Sequence, residues 1–97
     1  MDDPFAELRN ATAAALLHAP AATPEELRVA VSQGKATPEL RALVEKIRTR
    51  ANTVTDRDLD TLRKTFTEDQ LFEIIVAAAF GAAEERLTSA LHALEDA

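Results

Sequence analysis

The sequence predicts an all-α fold: a five-helix domain ending in a long, largely buried C-terminal helix. Three observations point there. Helix-start signals recur along the chain, apolar residues repeat at helical spacing between them, and no β-branched run with period-two alternation competes for a strand. The most telling segment is residues 71–83, LFEIIVAAAFGAA, in which Glu73 is the single charge. A surface helix shows an apolar stripe and a polar back, whereas this segment is apolar all round and is expected to be buried all round. It falls short of the ~20 apolar residues that span a bilayer.

The elements follow in order. Asp3-Pro4 opens a first helix over residues 4–18, with Phe5, Leu8, Ala15 and Leu16 near helical spacing, and the Pro20 segment breaks it. Thr23-Pro24-Glu25-Glu26 reads as a capping box, with the Thr23 oxygen accepting a backbone N–H and Glu26 reaching back. It starts a short helix over 24–33, which Gly34 ends. Thr37-Pro38-Glu39 starts the third helix, over 38–51, with Leu40, Leu43, Val44 and Ile47 as its apolar stripe. Thr55-Asp56 starts the fourth, over 56–64, with Leu59 and Leu62 inward. A second capping box, Thr67 to Gln70, starts the last helix, which runs to about Leu94. About 27 residues at 1.5 Å each give ~40 Å, while a compact chain of this size is ~32 Å across. The last helix must therefore kink near Gly81 or project beyond its domain.

The 97 residues make one domain, with residues 1–22 as N-terminal helix and connector and 23–97 as helical core. Leu, Ile, Val and Phe number 24 and Ala alone 20, a thin core for so small a domain. Close helix packing or self-association would compensate. Ala77, Ala78, Ala79, Gly81, Ala82 and Ala83 would let a second helix approach closely, so a homo-oligomer formed through the C-terminal helix is expected.

The net charge of −6 argues against nucleic acid and anionic membranes as partners. Residues 41–64 nevertheless carry seven basic side chains against four acids. That stretch reads as a solvated helix face, or else as a patch that meets an acidic tail of another subunit. Cysteine is absent, which removes disulfides, thiolate metal sites and thiol catalysis. The same absence fits a reducing cytoplasm, and the acidic N-terminus lacks the apolar stretch of a signal peptide. A cytoplasmic location is expected.

Few groups could do chemistry. His18 falls at a helix C-terminus, where a cation suits the dipole. Glu73 stands alone among apolar neighbours, where burial would suit it to acid–base work, or in the first turns of its helix, where a carboxylate is simply stabilising. Glu85, Ser89 and His92 share one face, but side chains on successive turns of a straight helix point outward in parallel and rarely form a triad. Two isolated His without a His-x-x-x-His or Glu-x-x-His spacing do not indicate a metal site, and no glycine-rich phosphate loop exists. No metal or cofactor is expected.

The run VTDRDLDTLRKTFTEDQLFEIIVAAAFGAAEERLTSALHAL, residues 54–94, resembles the helical unit of the alkylhydroperoxidase D / carboxymuconolactone decarboxylase superfamily. The resemblance (AhpD-like) extends over about residues 38–94. It rests on the VTD-D---LR helix, the capped -TEDQ-FE start and the Ala-rich helix with a late Arg and Leu repeats. It implies an all-helical unit that assembles through these helices. The peroxidase branch uses a Glu, a Cys-x-x-Cys pair about a dozen residues on and then a His; counting from Glu73 reaches Glu85, Thr88 and His92. The Glu and the His are matched and both cysteines are replaced, so thiol–disulfide chemistry is lost. The run equally resembles the non-catalytic C-terminal helix of longer members.

Three functions follow as expectations. The first is a cysteine-less, non-catalytic member of that superfamily acting as a homo-oligomeric structural or protein-interaction module. The second is a small-molecule binder or decarboxylase-like enzyme with Glu73 and His92 as acid and base. The third is an unrelated helical adaptor that docks another protein. An enzyme requires Glu73 and His92 to converge across an interface. A structural module requires Glu73 satisfied by a cap or an Arg and His92 exposed.

Overall fold

The computed structural model describes residues 5–96, and within them the chain is all-α, with no strand. Its five helices are α1 (Ala6–Ala13), α2 (Glu25–Ser32), α3 (Pro38–Arg50), α4 (Asp56–Asp60) and α5 (Glu68–Glu95). α1 runs on into a π-helical turn, Ala14–His18, closed by the Ala19 N–H donating to the Ala14 carbonyl at 2.9 Å. Short 3₁₀ turns, Ala51–Thr53 and Leu62–Lys64, follow α3 and α4. The Asp3-Pro4 start of the first helix lies outside the described residues.

The helix ends follow the sequence at most positions. Thr55 and Asp58 form a reciprocal box at the start of α4, and Thr67 and Gln70 do the same for α5. Gly34, at φ +78°, ends α2 in a Schellman motif. Its N–H donates to the Val31 carbonyl, and the Lys35 N–H to that of Ala30. The box expected at Thr23 does not form. α2 starts one residue later than expected, and the Thr23 hydroxyl bonds Glu73 across the fold. The fourth helix is also shorter than expected, because its last turn tightens into the 3₁₀ segment.

α5 is the axis of the domain, and α2 and α3 pack along it. Leu40, Leu43, Val44 and Ile47 of α3 are all buried, as their spacing predicts. Leu71, Ile74, Ala77 and Ala78 of α5 join them, with Val31 and Leu62. Gly81 lies where α2 crosses α5, and a Cβ there would sit 1.8 Å from the Ser32 carbonyl oxygen. The approach is backbone on backbone, which only glycine permits.

Two expectations about burial are corrected. Residues 71–83 are buried on one side only: Phe72 is 67% exposed, and Ala79 and Ala83 face outward. The ring of apolar residues includes an outer face that no other element of the described chain covers. The first helix likewise has no fully buried residue along α1, and Phe5, Leu8 and Ala15 are exposed. It is anchored by Leu17 in the π-helical turn and by Arg9, which forks onto Glu84 at 2.9 and 3.2 Å.

α5 continues as α-helix through Gly81 and projects. At 1.5 Å per residue its 28 residues measure ~42 Å, and the molecule extends 47 × 28 × 19 Å.

Candidate functional site

Glu73 is the most heavily engaged of the singled-out residues. α5 holds it in its second turn, beside the connector between α1 and α2. Its carboxylate accepts the Ala22 N–H at 2.9 Å, the Thr23 N–H at 2.8 Å and the Thr23 hydroxyl at 2.6 Å. One turn earlier, Gln70 Nε2 donates to the Ala22 carbonyl at 3.4 Å. Two side chains of α5 thus clamp both polar edges of the connector.

Burial pushes the Glu73 carboxyl up, but the Thr23 hydroxyl, the two backbone N–H donors and the nearby Arg28 charge outweigh it. The net pKa is below the ordinary carboxylate value. Such a group is held ionised, a poor proton donor near neutral pH.

Arg28 sits beneath the clamp at 2% exposure. Its Nη1 donates to the Leu16 carbonyl at 3.1 Å, an oxygen in the π-helical turn near the end of that helix. Its Nε has no hydrogen-bond partner among the described residues. The ionised Glu73 offsets the buried guanidinium, which would otherwise be an uncompensated interior charge.

Sequence reasoning missed Thr23 and Arg28 as partners of Glu73, and Gln70 as a donor to the same connector. The signal was present for Arg28, since it shares the inward face of α2 with Val31 and Ser32. Thr23 misled because the same hydroxyl suits a helix cap and a carboxylate equally.

The other candidates lie apart. His92 is exposed on the last turns of α5, 19 positions from Glu73 and ~28 Å along a straight helix. The two do not meet within one chain. Glu85 pairs with Arg48, so it is not free to orient a neighbour, and Thr88 and Ser89 are exposed. His18 Nδ1 lies 2.5 Å from Glu25 Oε1, bridging the connector at the surface. Among the described residues no three His, Cys, Asp or Glu side chains gather to hold a metal ion.

The basic stretch is partly consumed inside the chain. Lys46 bonds Asp58 at 2.9 and 3.0 Å, Arg63 reaches Asp60 and Glu68, and Arg48 holds both Glu85 and the Ser32 carbonyl. Arg86 donates to the Arg48 carbonyl at 2.6 Å, satisfying the C-terminal end of α3. A shallow groove of about 200 Å³ lies between Gly34, Arg41, Val44 and Arg48. Ligand pockets run ~300–1,000 Å³.

No helix of the described chain is long and apolar enough to cross a membrane. No protein-family model matches the chain, and neither a curated protein nor a solved structure matches it. The fold and site define an all-α domain in which the Glu73 carboxylate fastens the chain's own backbone.

Proposed function

We propose that this chain is a non-catalytic helical interaction module that self-associates through its C-terminal helix, a cysteine-less relative of the alkylhydroperoxidase D / carboxymuconolactone decarboxylase superfamily working in the cytoplasm. The observation that carries the reading is the apolar outer face of α5, where Phe72 and Leu94 are more than half exposed and alanines lie between them. An apolar strip of this kind marks an interaction surface. Two further features support it. Glu73 is occupied as an acceptor for Ala22 and Thr23, and His92 stands alone in solvent. The all-α build with a long capped last helix accords with what the resemblance to the superfamily implies, and the absence of cysteine accords with a reducing compartment.

Native mass spectrometry of the untagged protein tests the reading. The expected result is a homo-oligomer without a small-molecule adduct, reduced to monomer by Phe72→Glu. A wild-type monomer would overturn self-association, and a retained metabolite would favour the ligand-binding alternative with Glu73 and His92.

A further inference from the structure

The outer face of α5 has an internal symmetry. Phe72, Val76, Ala79, Ala83, Leu87, Ala90 and Leu94 fall within a sector of about 80° when successive residues turn by ~100°. Their spacing is palindromic about Ala83: Ala79 and Leu87 lie four residues to either side, Val76 and Ala90 seven, Phe72 and Leu94 eleven. Bulky residues stand at both ends, and between them Ala79, Ala83 and Ala90 are interspersed with Val76 and Leu87. Asp69, level with Leu87 at the edge of the sector and one turn before Phe72, is the only acid of α5 within it.

α1 widens this face. The clamp at Ala22 and Thr23 holds the connector beside Glu73, and Arg9 meets Glu84, so α1 runs antiparallel to α5. With Ala13 and Leu16 packed inward, right-handed winding turns Phe5, Leu8 and Ala15 to the side of the α5 strip. The four large apolar side chains exposed among the described residues, Phe5, Leu8, Phe72 and Leu94, therefore share one side of the molecule.

We infer that α5 pairs antiparallel with α5 of a second copy about a two-fold axis at Ala83, with α1 of each copy flanking the pair. This rests on the self-association proposed above and specifies its partner and register. A strip that reads the same in both directions is what a two-fold interface needs, because one patch must complement itself. In this register Phe72 meets Leu94, Val76 meets Ala90 and Ala79 meets Leu87. Each close pair brings at least one residue smaller than Phe. Antiparallel pairing also opposes the two helix dipoles.

Size agrees. The α5 strip is ~33 Å long and about one helix diameter wide, and the α1 row adds ~15 Å of length. Their projected footprint is roughly 500 Å², before side-chain relief, and a standard interface buries ~800 Å² per partner. With six negative charges in excess per chain, a face without acids between Phe72 and Leu94 is where two copies approach at least electrostatic cost.

The absence of native cysteine makes the register directly testable. Alanine-rich helices ~8–10 Å apart place facing Cα atoms roughly 4–6 Å apart, within disulfide reach. Ala83→Cys sits on the axis and is expected to form a disulfide dimer with itself under mild oxidation, at least tenfold faster than Ala90→Cys. Ala90→Cys is expected to link to Val76→Cys when the two variants are mixed. Circular dichroism checks that each variant keeps its helicity. A dimer in which Ala90→Cys self-links and Ala83→Cys does not would overturn the register while sparing self-association. A monomer at 100 µM-scale concentration by sedimentation, with no cross-linking at any position, would overturn both.

Discussion

Glu73 takes three donors on one carboxylate and so sets the position of the α1–α2 connector. Glu73→Gln keeps an acceptor oxygen but loses the charge and introduces an amide facing backbone N–H groups. The expected loss is about 1.5–3 kcal/mol of unfolding free energy, read from urea titration, as for hydrogen bonds to a charged group. The pH dependence follows from the lowered pKa. A carboxyl whose folded pKa lies below its unfolded value binds fewer protons when folded, so its contribution is full above the ordinary value, 4.5 for Glu73. It is lost as pH falls through the lowered folded value. Asp58 behaves the same way below its ordinary 3.8, held down chiefly by the Lys46 ammonium and then by the Thr55 N–H. Urea midpoints are expected to be flat above about pH 5 and to fall towards pH 3. The fall should be shallower in Glu73→Gln; an equal fall in that variant would remove Glu73 as a cause.

At the scale of elements, capping chemistry and spacing made most of the fold legible in the sequence. The Thr55 and Thr67 starts, the Gly34 stop and the four-residue stripe of α3 all sit where their local chemistry puts them. Local rules failed where a long-range partner competed. Thr23 left its own helix for Glu73, 50 residues away. The one-sided burial of α5 was also illegible, because hydropathy reports which side chains avoid water and not which neighbours exist to cover them. Gly81 suggests a kink by sequence, and its actual constraint is the Ser32 backbone. Alanine is a better helix former than glycine by ~1 kcal/mol. Gly81→Ala is nonetheless expected to lower stability by at least 1–3 kcal/mol through overpacking, measured by thermal unfolding. A stabilised variant would mean that α2 shifts freely on α5.

For the whole molecule, length and core disagree in a way that the charge distribution does not resolve. A radius of gyration of 14.5 Å exceeds the ~12.5 Å of a compact chain of this size. The excess matches the projecting end of α5. Beyond Ala82 the core ends, yet Leu87, Ala90, Leu91 and Leu94 continue an apolar face, while Thr88, Ser89 and His92 are exposed elsewhere on the helix. The candidate site is equally a matter of the whole chain, since the ~28 Å between Glu73 and His92 is fixed by the straight run of one helix. α1 bears the consequence of having no buried residue of its own. Its amides are expected to open as a separate, weakly held cooperative unit without disturbing α5. In hydrogen–deuterium exchange, residues 6–13 should exchange orders of magnitude faster than residues 74–82 in dilute protein. Raising the protein concentration should slow the first set selectively, because a second copy resting on Phe5 and Leu8 would hold that gate shut.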